Sequence, residues 1–232
     1  MSSSPSPAPD LTVRPGVVSR AISGFGTSIG VGAALGAAAW ISDQLSWPYS
    51  LLIPANAIGA WLGIAFILGA SARTIPTGVL RGLIGLLSAV AAYYLLNAVL
   101  GQGFRVIGAS HAATVWGVVA LLAGPLMGGA GSVWRYGHGW PRAIGVGILA
   151  AALIAEGLVF GAGRFIHVDQ LSTDPGALLL AVEILLGLAL PLLLLRRGER
   201  LRGYVATAVL AVIAVAAIGP VTALVRALAD RF

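Results

Sequence analysis

Seven runs of about twenty apolar residues, joined by short polar links, fill most of this chain. They lie roughly at 21 to 41, 50 to 70, 77 to 100, 113 to 134, 143 to 164, 176 to 195 and 203 to 225. A helix needs ~20 residues to cross a hydrocarbon core ~30 Å thick, and each run reaches or approaches that length. Backbone amides in lipid have no water to bond, so such runs must close their hydrogen bonds internally, as helices. The expected fold is all-α: a polytopic transmembrane helical bundle of about seven helices, with the N-terminus cytoplasmic. Residues 20–226 form the single bundle in this reading. A Ser- and Pro-rich tail over residues 1–19 is expected to be disordered and cytoplasmic, and residues 227–232 are a short C-terminal tail.

Composition excludes the main alternatives. Hydrophobic residues make up 58% of the chain and charged residues 9%, whereas a soluble domain carries about a quarter charged residues. The formal charge of +6 does not point to nucleic acid, because the arginines stand singly or in short groups between apolar runs rather than on one basic face. There is no Lys, which rules out a Schiff-base pigment, and no Cys, which removes disulfides, thiolate metal sites and cysteine nucleophiles. His111, His138 and His167 fall in different loops and lack metal-site spacing. With no phosphate loop, nucleophile elbow or zinc-hydrolase helix, no enzymatic activity, cofactor or metal is expected.

The arginines orient the bundle. With the N-terminus inside, Arg14, Arg20, Arg73, Arg81, Arg135, Arg142, Arg196, Arg197, Arg200 and Arg202 are cytoplasmic, and only Arg105, Arg164, Arg226 and Arg231 are outside. The cluster "RRGERLR" between the sixth and seventh runs is the strongest anchor, either as a stop-transfer signal on anionic headgroups or as a specific lipid or partner site. Arg14 and Arg20 ahead of an apolar run ending "GAAAW" also match a signal peptide, but that run is long for one and is expected to stay as the first helix.

Inside the apolar runs, Glu156 and Glu183 are costly and therefore informative. They flank the polar turn "HVDQLSTDPG", so a helical hairpin would place both carboxyls at one depth, where the two cannot both ionise cheaply. Asn56 in the second run and Tyr93 with Asn97 in the third share the outer half with them, and a small outward-opening cavity holding all five would bind a solute or a proton. The alternative is that each polar group bonds a neighbouring helix and closes the bundle. Arg164, eight residues after Glu156, either snorkels to headgroups or folds inward to the carboxyls.

Small residues recur every fourth position at Gly24, Ser28, Gly32 and Gly36, at Ala55, Gly59 and Gly63, and at Gly124, Gly128 and Ser132. Such ridges let helix backbones approach closely, within one chain or between copies. Pro54, Pro125, Pro191 and Pro220 lie inside apolar runs and either kink their helices or break them beside a binding cavity, with "IPANAIG" and "AGPLMGGAG" the better candidates for a break.

The runs "WPYSLLIPANAIGAWLGIAFILGASAR", "WGVVALLAGPLMGGAGSVWR", "RAIGVGILAAALIAEGLVF" and "AVEILLGLALPLLLLRR" resemble a family of multi-pass membrane proteins of unknown function from high-GC Gram-positive bacteria, over about residues 20 to 225. Asn56, the Gly124-Pro125 step and Glu156 carry the match. The resemblance implies a bacterial plasma membrane location and supplies no catalytic residues. The layout also resembles, in architecture alone, the substrate-binding membrane subunits of vitamin importers. The leading expectation is a small-solute or proton-coupled permease, or such a binding subunit. The alternative is a non-transporting scaffold or accessory subunit. Expected partners are the lipid bilayer, a small-molecule solute, and a second copy or other membrane subunits.

Overall fold

The structure, a computed structural model, describes residues 15–44, 57–100, 106–165 and 175–229. Among these, seven α-helices follow one another: α1 (Pro15–Gln44), α2 (Ile58–Ala70), α3 (Ile75–Leu100), α4 (Val106–Tyr136), α5 (Trp140–Phe165), α6 (Pro175–Leu194) and α7 (Arg200–Ala229). A 3-10 turn at Arg197–Glu199 leads into α7. α1 opens at Pro15, ahead of the expected start near residue 20, because proline has a helical φ and no N–H to leave unpaired in a first turn. α7 likewise continues to Ala229, beyond the expected end. Residues 1–14 of the expected tail lie outside the described residues, as do Pro54, Ala55 and Asn56.

Among the described residues five helices, α1, α3, α4, α5 and α7, are long and apolar enough to cross a membrane, against the seven crossings expected. The apolar stretches Ile58–Ala70 and Leu180–Leu194 are shorter. At ~1.5 Å per residue, the 13 residues of α2 cover only ~20 Å of a ~30 Å core. A tight turn over residues 71–74 ties the C-terminal end of α2 to the start of α3. Its N-terminus therefore stops within the thickness of the bundle. Large apolar side chains cover the exterior: Ile67, Leu95, Leu193 and Val212 are 65, 65, 70 and 71% exposed. That surface suits lipid and not water, and with five such helices it fits a multi-pass membrane protein.

α3 lies between α1 and α4 and packs on both through backbone. A Cβ on Gly32 of α1 would strike the Gly85 carbonyl of α3, and one on Gly36 the Ala89 carbonyl. Arg81 lies across Gly24, and the fully buried Ser28 returns its hydroxyl to the Gly24 carbonyl at 3.1 Å. On the other side, Gly124 sits against Leu83 and Gly82, and Gly128 against the Gly78 carbonyl. The ridge on α3 itself, Gly78, Gly82, Gly85 and Ala89, is what both partners meet. Only small residues permit such contact. Gly63 corrects the expected ridge of α2, since nothing approaches its Cβ position within 4 Å. Below these crossings, Phe66, Leu86, Met127 and Leu149 form the buried core of α2 to α5, with the Phe66 ring 5.5 Å from Trp134.

The described turns gather at one end of the bundle. Ser132 of α4 donates to the carbonyls of Gly69 and Thr74, at 3.0 and 3.2 Å, beside the α2–α3 turn. Glu199 accepts from the Gly139 amide at 2.9 Å and lies 3.9 Å from Arg142, which joins the α4–α5 turn to the α6–α7 turn. Gly139 has φ +62°, a left-handed conformation that favours glycine. Arg202 covers the Trp140 ring at 5.8 Å. The arginine-rich end is thus knit together by Glu199, the one acid of "RRGERLR". Pro191 is fully buried in α6, and around it α7 supplies donors: the Tyr204 hydroxyl to the Leu188 carbonyl and Arg200 to the Leu192 carbonyl, each at 3.1 Å.

Candidate functional site

α2 begins where its own sequence offers no cap. Ala57, at the N-cap position, has extended backbone (φ −70°, ψ 133°) and a methyl side chain that accepts nothing. The first amides of a helix have no intrahelical partner and need an acceptor from elsewhere. The acceptor comes from α5: Glu156 Oε1 takes the Ile58 N–H at 3.0 Å. The Gly59 amide faces both Glu156 and Glu183. Gly59 also makes room for the second carboxyl, since a Cβ there would fall 2.7 Å from Glu183 Oε1.

The two carboxyls thus converge on one helix end, where the macrodipole favours negative charge. The packing of α5 on α6 holds them there: Gly157 sits against Ile184 and the Leu180 carbonyl, and Gly187 against Ile154 and the Ala150 carbonyl. Glu183 is 4% exposed. Oε1 of Glu156 is used by α2, whereas Oε2 of Glu156 and Oε2 of Glu183 are buried with no partner among the described residues. A buried oxygen of this kind has capacity for a proton or a cation.

Adjoining Ile58 is a cavity of about 280 Å³ between α2, α3 and α4, which the last turn of α1 also reaches. Trp61, Tyr93, Tyr94 and Trp116 line it together with Asp43 and aliphatic side chains. The Tyr93 hydroxyl donates to Asp43 Oδ2 at 2.5 Å. Trp61 and Trp116 stack with centroids 6.5 Å apart, and Tyr93 meets Tyr94 edge-on at 5.0 Å. The cavity lies at the end of the bundle away from the arginine-rich turns.

The residues expected to share one polar pocket therefore divide between two neighbouring places. Glu156 and Glu183 meet at the α2 N-terminus and do not line the cavity, and Tyr93 does. Asn97 stands one turn farther along α3, half-buried and outside the lining. Asn56 and the Arg164 side chain lie outside the described residues. Asp43, Trp61 and Trp116 complete the cavity, and nothing in their local sequence marks them for it. Each tryptophan reads in sequence as ordinary packing, and Asp43 as a helix-end charge, until the fold brings three distant segments together.

No match was found to a curated protein or to a solved structure. A family model covers nearly all of the bundle just described, from the first residue of α1 to the last turn of α7, and the chain belongs to that family, a family of unknown function (DUF6518), over residues 15–227.

Proposed function

We propose that this protein is a small-solute or proton-coupled permease, or the substrate-binding membrane subunit of a transporter, in a bacterial plasma membrane. In this reading the apolar run from 50 to 70, of which α2 is the inner part, and α6 complete seven crossings, the arginine-rich turns are cytoplasmic and the aromatic cavity faces outward. One observation carries the proposal: a short internal helix whose N-terminus is capped by Glu156 with the buried carboxyl of Glu183 beside it, next to a cavity of about 280 Å³. Half-helix ends at mid-depth are where secondary transporters place substrates and coupling ions. The cavity would take the solute, and the free carboxyl oxygens a proton or cation.

The scaffold reading draws its support from the Glu156 bond to Ile58, which closes α5 onto α2 and needs no solute. Ligand binding separates the two. The purified protein, screened by thermal shift against a panel of small metabolites, is expected to give a clear stabilising hit of several degrees, as mass action requires of any ligand present well above its Kd. A panel broad in charge and size that shifts nothing favours the scaffold.

Orientation has its own test. A reporter inserted at Gly198 is expected to be cytoplasmic and one fused after Phe232 external, because α7 lies between them. Two reporters on the same side would remove α7 as a crossing.

A further inference from the structure

We infer that the aromatic cavity is a binding site for a small organic cation, a quaternary ammonium or alkylated amine. This deepens the solute-binding reading and rests on it. Four aromatic rings from three helices, Trp61 of α2, Tyr93 and Tyr94 of α3 and Trp116 of α4, line one small space, and among the described lining residues the only charged group is the carboxylate Asp43. Each ring face carries a negative quadrupole lobe, and Trp, the strongest of the ring types, occurs twice.

Competing ligands fit this lining poorly. Among the described lining residues an anion would meet Asp43 and the ring faces with few donors in return, and the Tyr93 hydroxyl already donates to Asp43. A bare metal cation needs several oxygen ligands to replace its hydration, whereas most of the lining is carbon: Ile58, Leu62, Leu86 and Val90 besides the rings. A neutral apolar solute would fill the space but make no use of the carboxylate. An alkylated ammonium is weakly hydrated, presents methyl groups to aliphatic and aromatic walls, and carries the charge that the rings and Asp43 favour. At about 280 Å³ the cavity sits at the lower edge of small-molecule pockets, which suits one such head group with a short substituent.

Choline and its neutral isostere 3,3-dimethylbutanol isolate the charge, since they share shape and differ in N⁺ against C. Titrated by calorimetry and by tryptophan fluorescence into the full-length protein in lipid nanodiscs, choline is expected to bind at least about tenfold more tightly than the isostere. Trp116→Leu and Asp43→Asn should each lower choline affinity about tenfold, and Trp116→Phe should retain most of it. Both positions are exposed, so the variants are expected to fold, with size-exclusion profile and thermal midpoint as the check. Equal affinity for choline and the isostere, or no saturable binding of choline or tetramethylammonium, overturns the assignment. Choline that binds but is not taken up by proteoliposomes upholds the cavity site and sinks the permease reading. Saturable uptake of a neutral or anionic solute without cation binding overturns the cavity site and leaves the permease reading standing.

Discussion

Gly128→Leu is expected to leave almost no folded protein, while Gly117→Leu on the same helix is expected to be nearly silent. Gly128 is enclosed by backbone on two sides: its own Cβ position collides with the Gly78 carbonyl and lies within 3.0 Å of the Gly82 Cα, and its carbonyl occupies the Cβ position of Gly69. A side chain there must push α4 away from α3, and with it the carbonyl that packs on Gly69 of α2, since the nearest atoms are all backbone and none can yield. Ordinary overpacking costs about 1–3 kcal/mol, and a backbone contact on two faces belongs above that range. Gly117 has nothing within 4 Å of its Cβ position, so the same substitution there meets open space and gains helix propensity. Gly32→Leu and Gly30→Leu repeat the comparison on α1, where Gly32 abuts the Gly85 carbonyl and Gly30 meets nothing. Yield and thermal midpoint after fluorescence-detected size exclusion measure both pairs. Equal tolerance within either pair would remove the close crossings from the fold.

These glycines also show what is legible in the sequence. The four-residue spacing at Gly24, Ser28, Gly32 and Gly36, and at Gly124 and Gly128, located the ridges of α1 and α4, because close packing in lipid leaves a periodic mark on the sequence. The shared partner did not stand out. Gly78, Gly82 and Gly85 are spaced four and three apart and interleaved with Leu, so their common role appears only when α3 is placed between two helices. Glu156 and Glu183 were recognisable as a pair because charge in an apolar run is costly and the hairpin sets their depth. Their target was not. The bond from Glu156 to the amide of Ile58 spans 98 positions and depends on α2 stopping short, and a run of apolar residues from 50 to 70 gives no sign of where its helix begins. The cavity was the least legible part, since it joins residues of four helices and its rings are individually indistinguishable from core packing.

The carboxyl pair should separate into one residue that holds the fold and one that does not. Glu156→Leu removes the acceptor for the part-buried Ile58 amide and leaves it unpaired, which costs up to about 1–3 kcal/mol, and the Gly59 amide loses one of its two neighbours. Glu156→Gln keeps a carbonyl oxygen at the same reach, so its loss is expected to stay below ~1 kcal/mol. Glu183→Gln should be neutral or slightly stabilising. Its carboxyl shares the helix end with Glu156, and Gln removes an ionisable group from a place where the two cannot both ionise cheaply while an acceptor for the Gly59 amide remains. Unfolding midpoints and hydrogen exchange at the amides of residues 58–60 report these differences locally. Function divides the pair differently. In a permease that uses the free oxygens of both residues, either Gln variant abolishes proton coupling or cation binding although it remains folded, and the double variant is no worse than either alone, since the two act as one site. Strictly additive losses would show two separate roles. Full coupling in both Gln variants would assign the pair to packing alone, with Glu156 serving as the cap that the α2 sequence lacks.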